Sequence, residues 1–495
     1  MSLPSRPSIE LSDQAWRAAI LWIAAAAILL RLISLDLKPF HHDEGVNGYF
    51  LLNLVRPPHK YEYDPRNYHG PSLYYLAWAS SAVLGLTTFA LRFVPAVAGL
   101  LTIGLLIPLR RYLGNLATLI AMLLLAVSPG AVYHSRYFIH EAILVCATLG
   151  VVVGVLDYLR GNTTRGLLVA AFSGAMMTTT KETWFINLGV LVCAAFGTVV
   201  WFRIPPRRIA PFFKPRVNVL AAAVLLFLGI NWLLFSSFFT NPNGPVDFFR
   251  AYNFWSDTGT AAHRRAWYGY FQWLVRIELP LLVGGLAGAA LAAWRRDNPF
   301  AFFAGLWAVG IIAAYSLIPY KTPWLILNFL LPLALSFGYL VSWLASLTGS
   351  LTRRAVLVAS TVAVLAMTYQ SLNLNFWHYD DDRWPYIYAH TSRETLTLVD
   401  TVGTLISRTP KRVPVVVMAP HQYQFPLPWY FRDVAAGYPG KVEKLDEGVA
   451  IVTEEQEQEA KQVLGDGFVR VGTYHLRTGT KLVVFASASL AQPKS

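Results

Sequence analysis

Twelve long apolar runs occupy most of the chain and restrict its fold more than any other sequence feature. About twenty apolar residues in a helix are enough to cross the hydrocarbon core of a bilayer. The chain is 55% hydrophobic and only 14% charged, whereas soluble domains carry about 25% charged residues. One water-soluble core cannot bury so much apolar surface, so lipid must cover part of it. The runs lie at about residues 16–35, 72–88, 91–109, 115–133, 139–159, 165–180, 184–202, 217–238, 277–294, 299–317, 323–345 and 353–371.

Basic residues between the runs predict the orientation of the helices, because cytoplasmic loops collect Lys and Arg. The basic groups face the cytoplasm together only if one run between residues 36 and 109 does not cross. We expect this to be run 72–88, which is short and begins just after Pro71; it dips into the membrane or lies along its outer surface. The sequence thus predicts a mainly α-helical, polytopic protein with about 11 transmembrane helices and a cytoplasmic N-terminus. The basic groups are Arg110-Arg111, Arg160 with Arg165, residues 203–216, Arg295-Arg296 and Arg353-Arg354.

The last 124 positions, residues 372–495, have a mixed and charged composition that differs from the apolar runs. Residues 415–418 and 481–485 have the composition of strands, and an amphipathic stretch at 454–464 lies between them. We therefore predict a transmembrane domain at 1–371, with outer loops at 36–70 and 239–276, followed by a small soluble α/β domain at 372–495. Run 16–35 is too long for the apolar part of a signal peptide, so we expect it to be the first transmembrane helix and to be retained in the mature chain. The protein is expected to lie in the plasma membrane with its C-terminal domain outside the cell.

Four basic residues interrupt the predicted outer ends of the helices, where short loops are usually poor in Lys and Arg. A charge in or near a membrane is costly and usually faces a cavity or a partner. One such residue alone is more often an anchor at the lipid surface than a ligand. Four on one face, with the acidic neighbours Glu141 and Glu182, favour a functional cavity. The four are Arg92, Arg136, Lys181 and Lys321.

An acidic loop, His41-His42-Asp43-Glu44, follows the first run almost immediately. Two adjacent carboxylates at the boundary between water and lipid add little stability, and they suit a general base or a metal ligand. The two histidines make a metal conceivable, although adjacent residues do not easily all face one ion. The alternative is a solvated loop that only ends the first helix.

Five short elements follow one another along the predicted outer face. They are Asp43-Glu44, Tyr68-His69-Gly70-Pro71-Ser72-Leu73, Arg92, Ser135-Arg136 with Glu141, and Thr180-Lys181. In this order they resemble the GT-C superfamily of integral-membrane glycosyltransferases, most closely its protein O-mannosyltransferase and aminoarabinose-transferase branch. The resemblance covers about residues 16–345. Gly70 stands where many relatives have Pro, Glu141 stands where the mannosyltransferases have Asp, and loop 239–276 lacks a β-trefoil insertion, so the sugar and the acceptor stay open.

The resemblance implies a polyprenyl-phosphate-linked sugar donor, and the residues suit that chemistry. Arg92, Arg136, Lys181 and Lys321 are the candidates that bind the donor phosphate, because fixed cations stabilise the negative charge that grows on a leaving phosphate. Asp43 is the first candidate for the general base, and Glu44 is the second. In-line displacement with one base would invert the anomeric carbon. The acceptor is a hydroxyl of a protein, a lipid or a glycan.

Further candidates for substrate binding flank these groups. In the outer loops they are His42, Tyr68, His69 and Glu141. Residues 263–270, His-Arg-Arg-Ala-Trp-Tyr-Gly-Tyr, resemble an element of the aminoarabinose-transferase branch, with Ala266 in place of Pro. This element indicates His263, Trp267 and Tyr268 as sugar contacts, although an interfacial aromatic belt explains them equally well. In the C-terminal domain, residues 421–425 are a candidate acceptor contact.

The sequence is also compatible with two functions other than a glycosyltransferase. A transporter or flippase of lipid-linked sugars would need the cations but no base, and a non-catalytic scaffold for glycan assembly would need neither. No Gly-rich phosphate loop follows a strand, which argues against a nucleotide-sugar enzyme. The net charge of +13 fits cytoplasmic loops and does not indicate nucleic acid. No metal ligands are assigned and the residues identify no cofactor with certainty, and a divalent cation remains an option.

Overall fold

The computed structural model describes residues 11–57, 59–161, 163–210, 215–261, 263–347 and 349–491. The chain divides into two compact units. The first, which we call the helical unit, comprises residues 1–35 and 61–377; the second, the sheet unit, comprises residues 36–60 and 378–495. In chain order the α-helices are α1 (Asp13–Leu32), α2 (His42–Val55), α3 (Ser72–Leu84), α4 (Thr88–Gly104), α5 (Arg110–Leu113), α6 (Asn115–Val127), α7 (Pro129–Ser135), α8 (Glu141–Gly161), α9 (Thr164–Thr178), α10 (Trp184–Trp201), α11 (Pro206–Ile209), α12 (Val217–Phe235), α13 (Gly244–Ala261), α14 (Gly269–Ile277), α15 (Leu279–Arg295), α16 (Pro299–Leu317), α17 (Leu327–Ala345), α18 (Ser350–Leu372), α19 (Glu394–Ser407), α20 (Leu427–Tyr430), α21 (Glu457–Leu464) and α22 (Ala488–Ala491).

All twelve predicted apolar runs form helices of the helical unit. Eight helices in the described part of the chain are long and apolar enough to cross a membrane, and two bent pairs, α6 with α7 and α14 with α15, raise the count to as many as 10. Helix α9 has only 15 residues, and counting it as well would give the predicted total. Run 72–88 forms α3, whose 13 residues extend only about 20 Å at 1.5 Å per residue, so its failure to cross stays a prediction. The protein is a multi-pass membrane protein.

The two bent pairs are joined at their breaks by one carboxylate. α6 and α7 bend by 59° at Ser128, and α14 and α15 bend by 112° at Glu278. The buried Glu278 carboxylate accepts hydrogen bonds from Ser128 Oγ at 2.9 Å and from the Gly130 N–H at 2.6 Å. It thereby satisfies N–H and O–H donors at the start of α7, where a helix has no partners of its own. One side chain thus holds both breaks in place.

The sheet unit contains a five-stranded mixed sheet in the order β2-β1-β3-β5-β4. β1 (Val415–Val417) pairs in parallel with β2 (Ala436–Gly437) and β3 (Val449–Thr453), and β5 (Thr480–Ser487) pairs antiparallel with β3 and with β4 (Phe468–Arg477). β1, β3 and β5 carry continuous apolar runs because both of their faces are buried. Helix α21 lies between β3 and β4 in the chain, so the predicted strand, helix and strand of this domain are confirmed.

Residues 36–60 belong to the sheet unit, whereas the sequence placed them with the transmembrane domain. Packing of α2 gives the reason. A Cβ on Gly45 would lie 2.8 Å from Pro426 Cα, and one on Gly48 would lie 3.2 Å from the Trp429 ring. The Phe40 ring stacks on Trp429 at a centroid distance of 5.0 Å. Glycine at two positions of one helix face therefore lets α2 approach the C-terminal segment closely.

Candidate functional site

The acidic loop forms the first turn of α2, and two of its side chains cap that helix. His41 is the N-cap residue, and its Nδ1 accepts the Asp43 N–H at 3.0 Å. The Glu44 carboxylate accepts the His41 N–H at 2.9 Å, which completes a capping box. His41 Nε2 donates to the Tyr388 carbonyl at 2.8 Å. These contacts fix one neutral tautomer of His41 and hold Glu44, which is fully buried, in a structural role.

Burial keeps both histidines of the loop uncharged at neutral pH. It lowers the pKa of His41, more than the Asp43 carboxylate raises it. Burial also lowers the pKa of His42 to about 4, again against the raising effect of Asp43. Because neither imidazole is cationic at pH 7, neither forms a strong ion pair with the Asp43 carboxylate.

The two carboxylates of the loop differ in accessibility. The Asp43 side chain is 38% exposed, whereas Glu44 is enclosed. Asp43 lies in the first turn of α2, where the helix dipole stabilises a negative charge. A carboxylate that must take a proton from a substrate needs contact with that substrate. The geometry of the sheet unit therefore favours Asp43 over Glu44 for this role.

In the helical unit, segment 68–72 lies against residues 179–182. The Gly70 N–H donates to the Thr180 carbonyl at 3.0 Å, and the Ser72 N–H donates to the Thr179 carbonyl at 2.9 Å. A Cβ on Gly70 would lie 2.1 Å from Thr179 O, so only glycine fits there without movement. Proline, the residue of many relatives, would lack the N–H that Gly70 donates. Close packing against Thr179 and the hydrogen bond from the Gly70 N–H therefore favour glycine over proline at this position.

Two acid–base pairs lie at this contact. Lys181 Nζ pairs with the Glu141 carboxylate, and both side chains are buried. His69 Nδ1 is 2.9 Å from Glu182 Oε2. Glu141 and Glu182 were predicted from the sequence as acidic neighbours of the cations. In the structure Glu141 contacts Lys181, and Glu182 contacts His69. Lys181 is therefore already charge-compensated within the protein.

Aromatic rings surround the His69 imidazole. Its ring lies 4.7 Å from that of His140 and 4.8 Å from that of Tyr68, between centroids. Tyr68, His69, Glu141 and Lys181, predicted from separate motifs, are thus brought into one cluster.

Arg92 and Arg136 contact the carbonyl end of α1. Arg136 donates to the carbonyls of Leu30, Arg31, Ile33 and Ser34 at 2.6–3.2 Å. Arg92 donates to the Leu35 carbonyl at 3.0 Å. Cations at a helix C-terminus satisfy carbonyls that have no partner within the helix and oppose the negative end of its dipole. Both arginines therefore hold the chain that leaves α1, in addition to the phosphate role that the sequence predicted for them.

A third group of predicted residues is formed by two loops that pair with each other. The Lys321 N–H donates to the His263 carbonyl at 3.2 Å, and the Arg265 N–H donates to the Pro319 carbonyl at 3.1 Å. Arg264 and Tyr320 form an antiparallel bridge. The Lys321 ammonium donates to the carbonyls of Ser316 and Ile318 at the C-terminal end of α16. Residues 263–270 and Lys321 were predicted as separate elements, whereas in the structure their two loops are paired by backbone hydrogen bonds.

These paired loops line a cavity of about 420 Å³. Its walls include Arg264, Arg265, Trp267 and Lys321, so three cations and one indole meet there. Trp267 is 65% exposed, and Tyr268 beside it is also exposed. Arg264 and Arg265 were not among the cations predicted to bind phosphate. Two adjacent arginines in a loop predicted to lie on the outer face are the sequence signal that indicates them.

The described residues offer no arrangement for a metal ion, since no group of three or more His, Cys, Asp or Glu side chains converges in them. In the acidic loop, His41 uses both ring nitrogens in hydrogen bonds and Glu44 caps α2. The divalent cation that the sequence left open receives no support from this geometry.

Part of the chain matches a known protein family, and its fold is similar to that of solved structures. Residues 68–244 match the family model described as dolichyl-phosphate-mannose-protein mannosyltransferase. No curated protein matches the chain. The structure is similar to ArnT from Cupriavidus metallidurans in the apo state, with a TM-score of 0.68 and 16% identity over 97% of this chain and 99% of ArnT. For ArnT from the same organism bound to undecaprenyl phosphate, the TM-score is 0.67 with 15% identity over 96% and 99% of the two chains.

A further similar structure is the arabinofuranosyltransferase AftD from Mycobacteria. Its TM-score is 0.51, with 12% identity over 97% of this chain and 40% of AftD. At such identities the likeness concerns the fold. The chain has the fold of ArnT, and this likeness, together with the family match over residues 68–244, agrees with the resemblance predicted from the five sequence elements.

Proposed function

We propose that this protein transfers a sugar from a polyprenyl-phosphate donor to an acceptor hydroxyl at the outer face of the membrane. The observation that carries the proposal is the difference between the two carboxylates of α2. Glu44 is buried and caps the helix, whereas the Asp43 side chain is 38% exposed in the first turn of α2. The fold shared with ArnT, which was solved with undecaprenyl phosphate, supports the choice of donor.

The helical unit binds the donor in this proposal. Arg92, Arg136, Lys181 and Lys321 supply positive charge for the phosphate, with Lys321 placed beside Arg264 and Arg265. Most of these cations already contact protein carbonyls or carboxylates, so they are held in position before the donor arrives. Fixed charges need no rearrangement as the leaving phosphate becomes negative, and this favours the transition state over the ground state. His42, Tyr68, His69, Glu141, His263, Trp267 and Tyr268 are the proposed substrate contacts.

In the transfer step, the acceptor oxygen attacks the anomeric carbon and forms the new glycosidic bond. The bond between that carbon and the phosphate oxygen breaks, and its electron pair leaves with polyprenyl phosphate. The hydroxyl proton passes to the Asp43 carboxylate. One base and one displacement invert the anomeric centre. Positioned general-base catalysis is worth about 10²–10⁴-fold in rate.

The orientation that suits this reaction has the N-terminus in the cytoplasm and the sheet unit outside. Basic residues at 110–111, 203–216 and 295–296 support it through the positive-inside rule. Labelling of single cysteines introduced at Asp400 and Arg207 in intact cells, with a reagent that does not cross the membrane, tests this orientation. Labelling at Arg207 but not at Asp400 would reverse it.

The test of function uses the full-length protein in lipid nanodiscs with labelled polyprenyl-phosphate sugars. We expect release of polyprenyl phosphate by the natural sequence and a decrease of about 10²–10⁴-fold in the turnover rate for Asp43→Asn. Asp400→Asn, at an exposed position on α19, is the matched control and retains activity. Glu44→Gln keeps an acceptor oxygen for the His41 N–H, so it lowers the unfolding temperature slightly and keeps most of the turnover.

Two results would contradict the proposal. Full turnover in Asp43→Asn at normal expression would remove Asp43 as the base. Binding of the donor without release of polyprenyl phosphate, under all acceptor conditions, would favour a transporter of lipid-linked sugars over an enzyme.

A further inference from the structure

The sheet unit contains a cavity of about 1060 Å³ between α2 and the segment that follows β1. Typical small-molecule sites measure about 300–1,000 Å³, so the cavity has room for more than one sugar ring. His42, the residue before Asp43, lines it together with Tyr49, His421, Gln422, Phe425 and Tyr438. All of these residues belong to the same compact unit. The proposed base, Asp43, is therefore adjacent in sequence to His42, a residue that lines the cavity.

Aromatic rings form one part of the wall. Phe425 has three ring neighbours: His42 at 5.4 Å, His421 at 5.8 Å and Tyr49 at 6.5 Å, between centroids. The Tyr49 side chain is 48% exposed, so its ring offers a face to a ligand. The C–H faces of a sugar ring pack on such rings, while its hydroxyls require polar partners at the ring edge.

Polar groups that can meet sugar hydroxyls also line the cavity. Gln424 Nε2 donates to the Ala419 carbonyl at 3.0 Å, so its amide oxygen faces His421 and accepts from His421 Nδ1 at 3.1 Å. The other ring nitrogen of His421, Nε2, is left to form a hydrogen bond with a ligand. His42 Nδ1 and the Tyr438 hydroxyl are buried and have no hydrogen-bond partner among the described residues. Buried polar atoms are rarely left unsatisfied, so these two atoms indicate a ligand or ordered water.

Resting on the proposed function, we infer that this cavity is the acceptor site and that the acceptor it holds is a carbohydrate. A peptide would pair with a sheet edge, but edge strand β2, which contributes Ala436 to the wall, has only two residues. An acyl chain would leave His42 Nδ1 and the Tyr438 hydroxyl unsatisfied. A glycan supplies both apolar faces and hydroxyls, and it brings one hydroxyl toward the first turn of α2.

The inference is tested by binding of full-length protein, without donor, to an array of oligosaccharides built from hexoses, N-acetylhexosamines and uronic acids. Ser- and Thr-containing peptides are printed beside them. We expect at least one oligosaccharide to bind and Tyr49→Ala to weaken that binding about tenfold, which corresponds to ~1.4 kcal/mol. Tyr49→Phe is the matched control because it keeps the ring. Tyr438→Phe removes only a hydroxyl and should weaken binding without lowering the unfolding temperature.

Absence of binding to every oligosaccharide, binding to peptides instead, or equal binding by natural protein and Tyr49→Ala would each overturn the inference. Failure of the proposed function gives a different result. In that case oligosaccharides bind in a Tyr49-dependent manner, yet no polyprenyl phosphate is released. Failure of the inference alone leaves donor turnover intact and independent of Tyr49.

Discussion

Replacement of Glu141 by Gln separates a structural role of Lys181 from a role in binding phosphate. The Glu141 carboxylate and the Lys181 ammonium form an ion pair in which the side chains are 1% and 5% exposed. Removal of one partner from a buried pair costs about 3–5 kcal/mol, because the other charge stays buried without compensation. We therefore expect Glu141→Gln to lower the free energy of unfolding by about this amount in the absence of lipid.

A ligand that supplies a new negative charge reverses part of that loss. If Lys181 contacts the donor phosphate, the variant no longer offers it a competing carboxylate. Polyprenyl phosphate should then bind more tightly to Glu141→Gln and raise its unfolding temperature more than it raises that of the natural protein. Ligand at 100 times its dissociation constant stabilises by about 2.7 kcal/mol, so even a tenfold change in affinity produces a measurable shift.

The assay is thermal unfolding in detergent with and without polyprenyl phosphate. The control is Asp157→Asn, which breaks the pair between Asp157 and Arg165, whose side chain is 77% exposed. Such surface pairs are worth about 0–1 kcal/mol, and no lipid-dependent effect is expected there. Equal lipid-induced shifts in Glu141→Gln and the natural protein would refute phosphate binding by Lys181. An unfolding temperature unchanged by Glu141→Gln would refute the energetic importance of the pair.

Two further predictions concern the helix breaks and acid stability. Glu278→Ala should lower the free energy of unfolding by about 1–3 kcal/mol, since it leaves the buried Gly130 N–H without an acceptor. Glu278→Gln keeps an oxygen there and should cost less. Equal thermal shifts for the two variants would contradict this role. Burial lowers the pKa of His42 to about 4, below its value of about 6.5 in the unfolded chain, so the folded state resists protonation. The stability that neutral His42 contributes is fully present above pH 6.5 and is lost as pH falls toward 4, which lowers the free energy of unfolding by at most about 3 kcal/mol. His42→Asn should therefore reduce the acid-induced decrease in unfolding temperature. An identical pH profile for the variant and the natural protein would show that His42 does not contribute.

Helices of the membrane part could be predicted from the sequence because their signal is local. A run of about twenty apolar residues needs no knowledge of its neighbours to indicate a helix. Helix α2 lacks this signal, since it is short and begins with His41 as N-cap where Ser, Thr, Asp or Asn is usual. Its glycines, Gly45 and Gly48, acquire meaning only from the C-terminal segment on which they pack.

The candidate site could be predicted in its residue types but not in its contacts. Glu141 and Lys181 are 40 positions apart, and Glu278 and Ser128 are 150 positions apart. No periodicity indicates which acid meets which base over such separations. Arg136 contacts backbone carbonyls, which every sequence provides, so its structural role leaves no trace in residue types.

The division of the sheet unit between two distant parts of the chain has a consequence for biosynthesis. The ribosome synthesises residues 36–60 well before the segment that contains Pro426 and Trp429. At about 5–20 residues per second, the roughly 365 residues between residue 60 and Pro426 take about 18–73 s to synthesise. During that time α2 lacks the surface on which it packs in the finished protein. Asp43 therefore reaches its native setting only after the segment around Trp429 has been synthesised. A fragment of residues 378–495 expressed alone would expose the Trp429 surface that Phe40 and α2 normally cover.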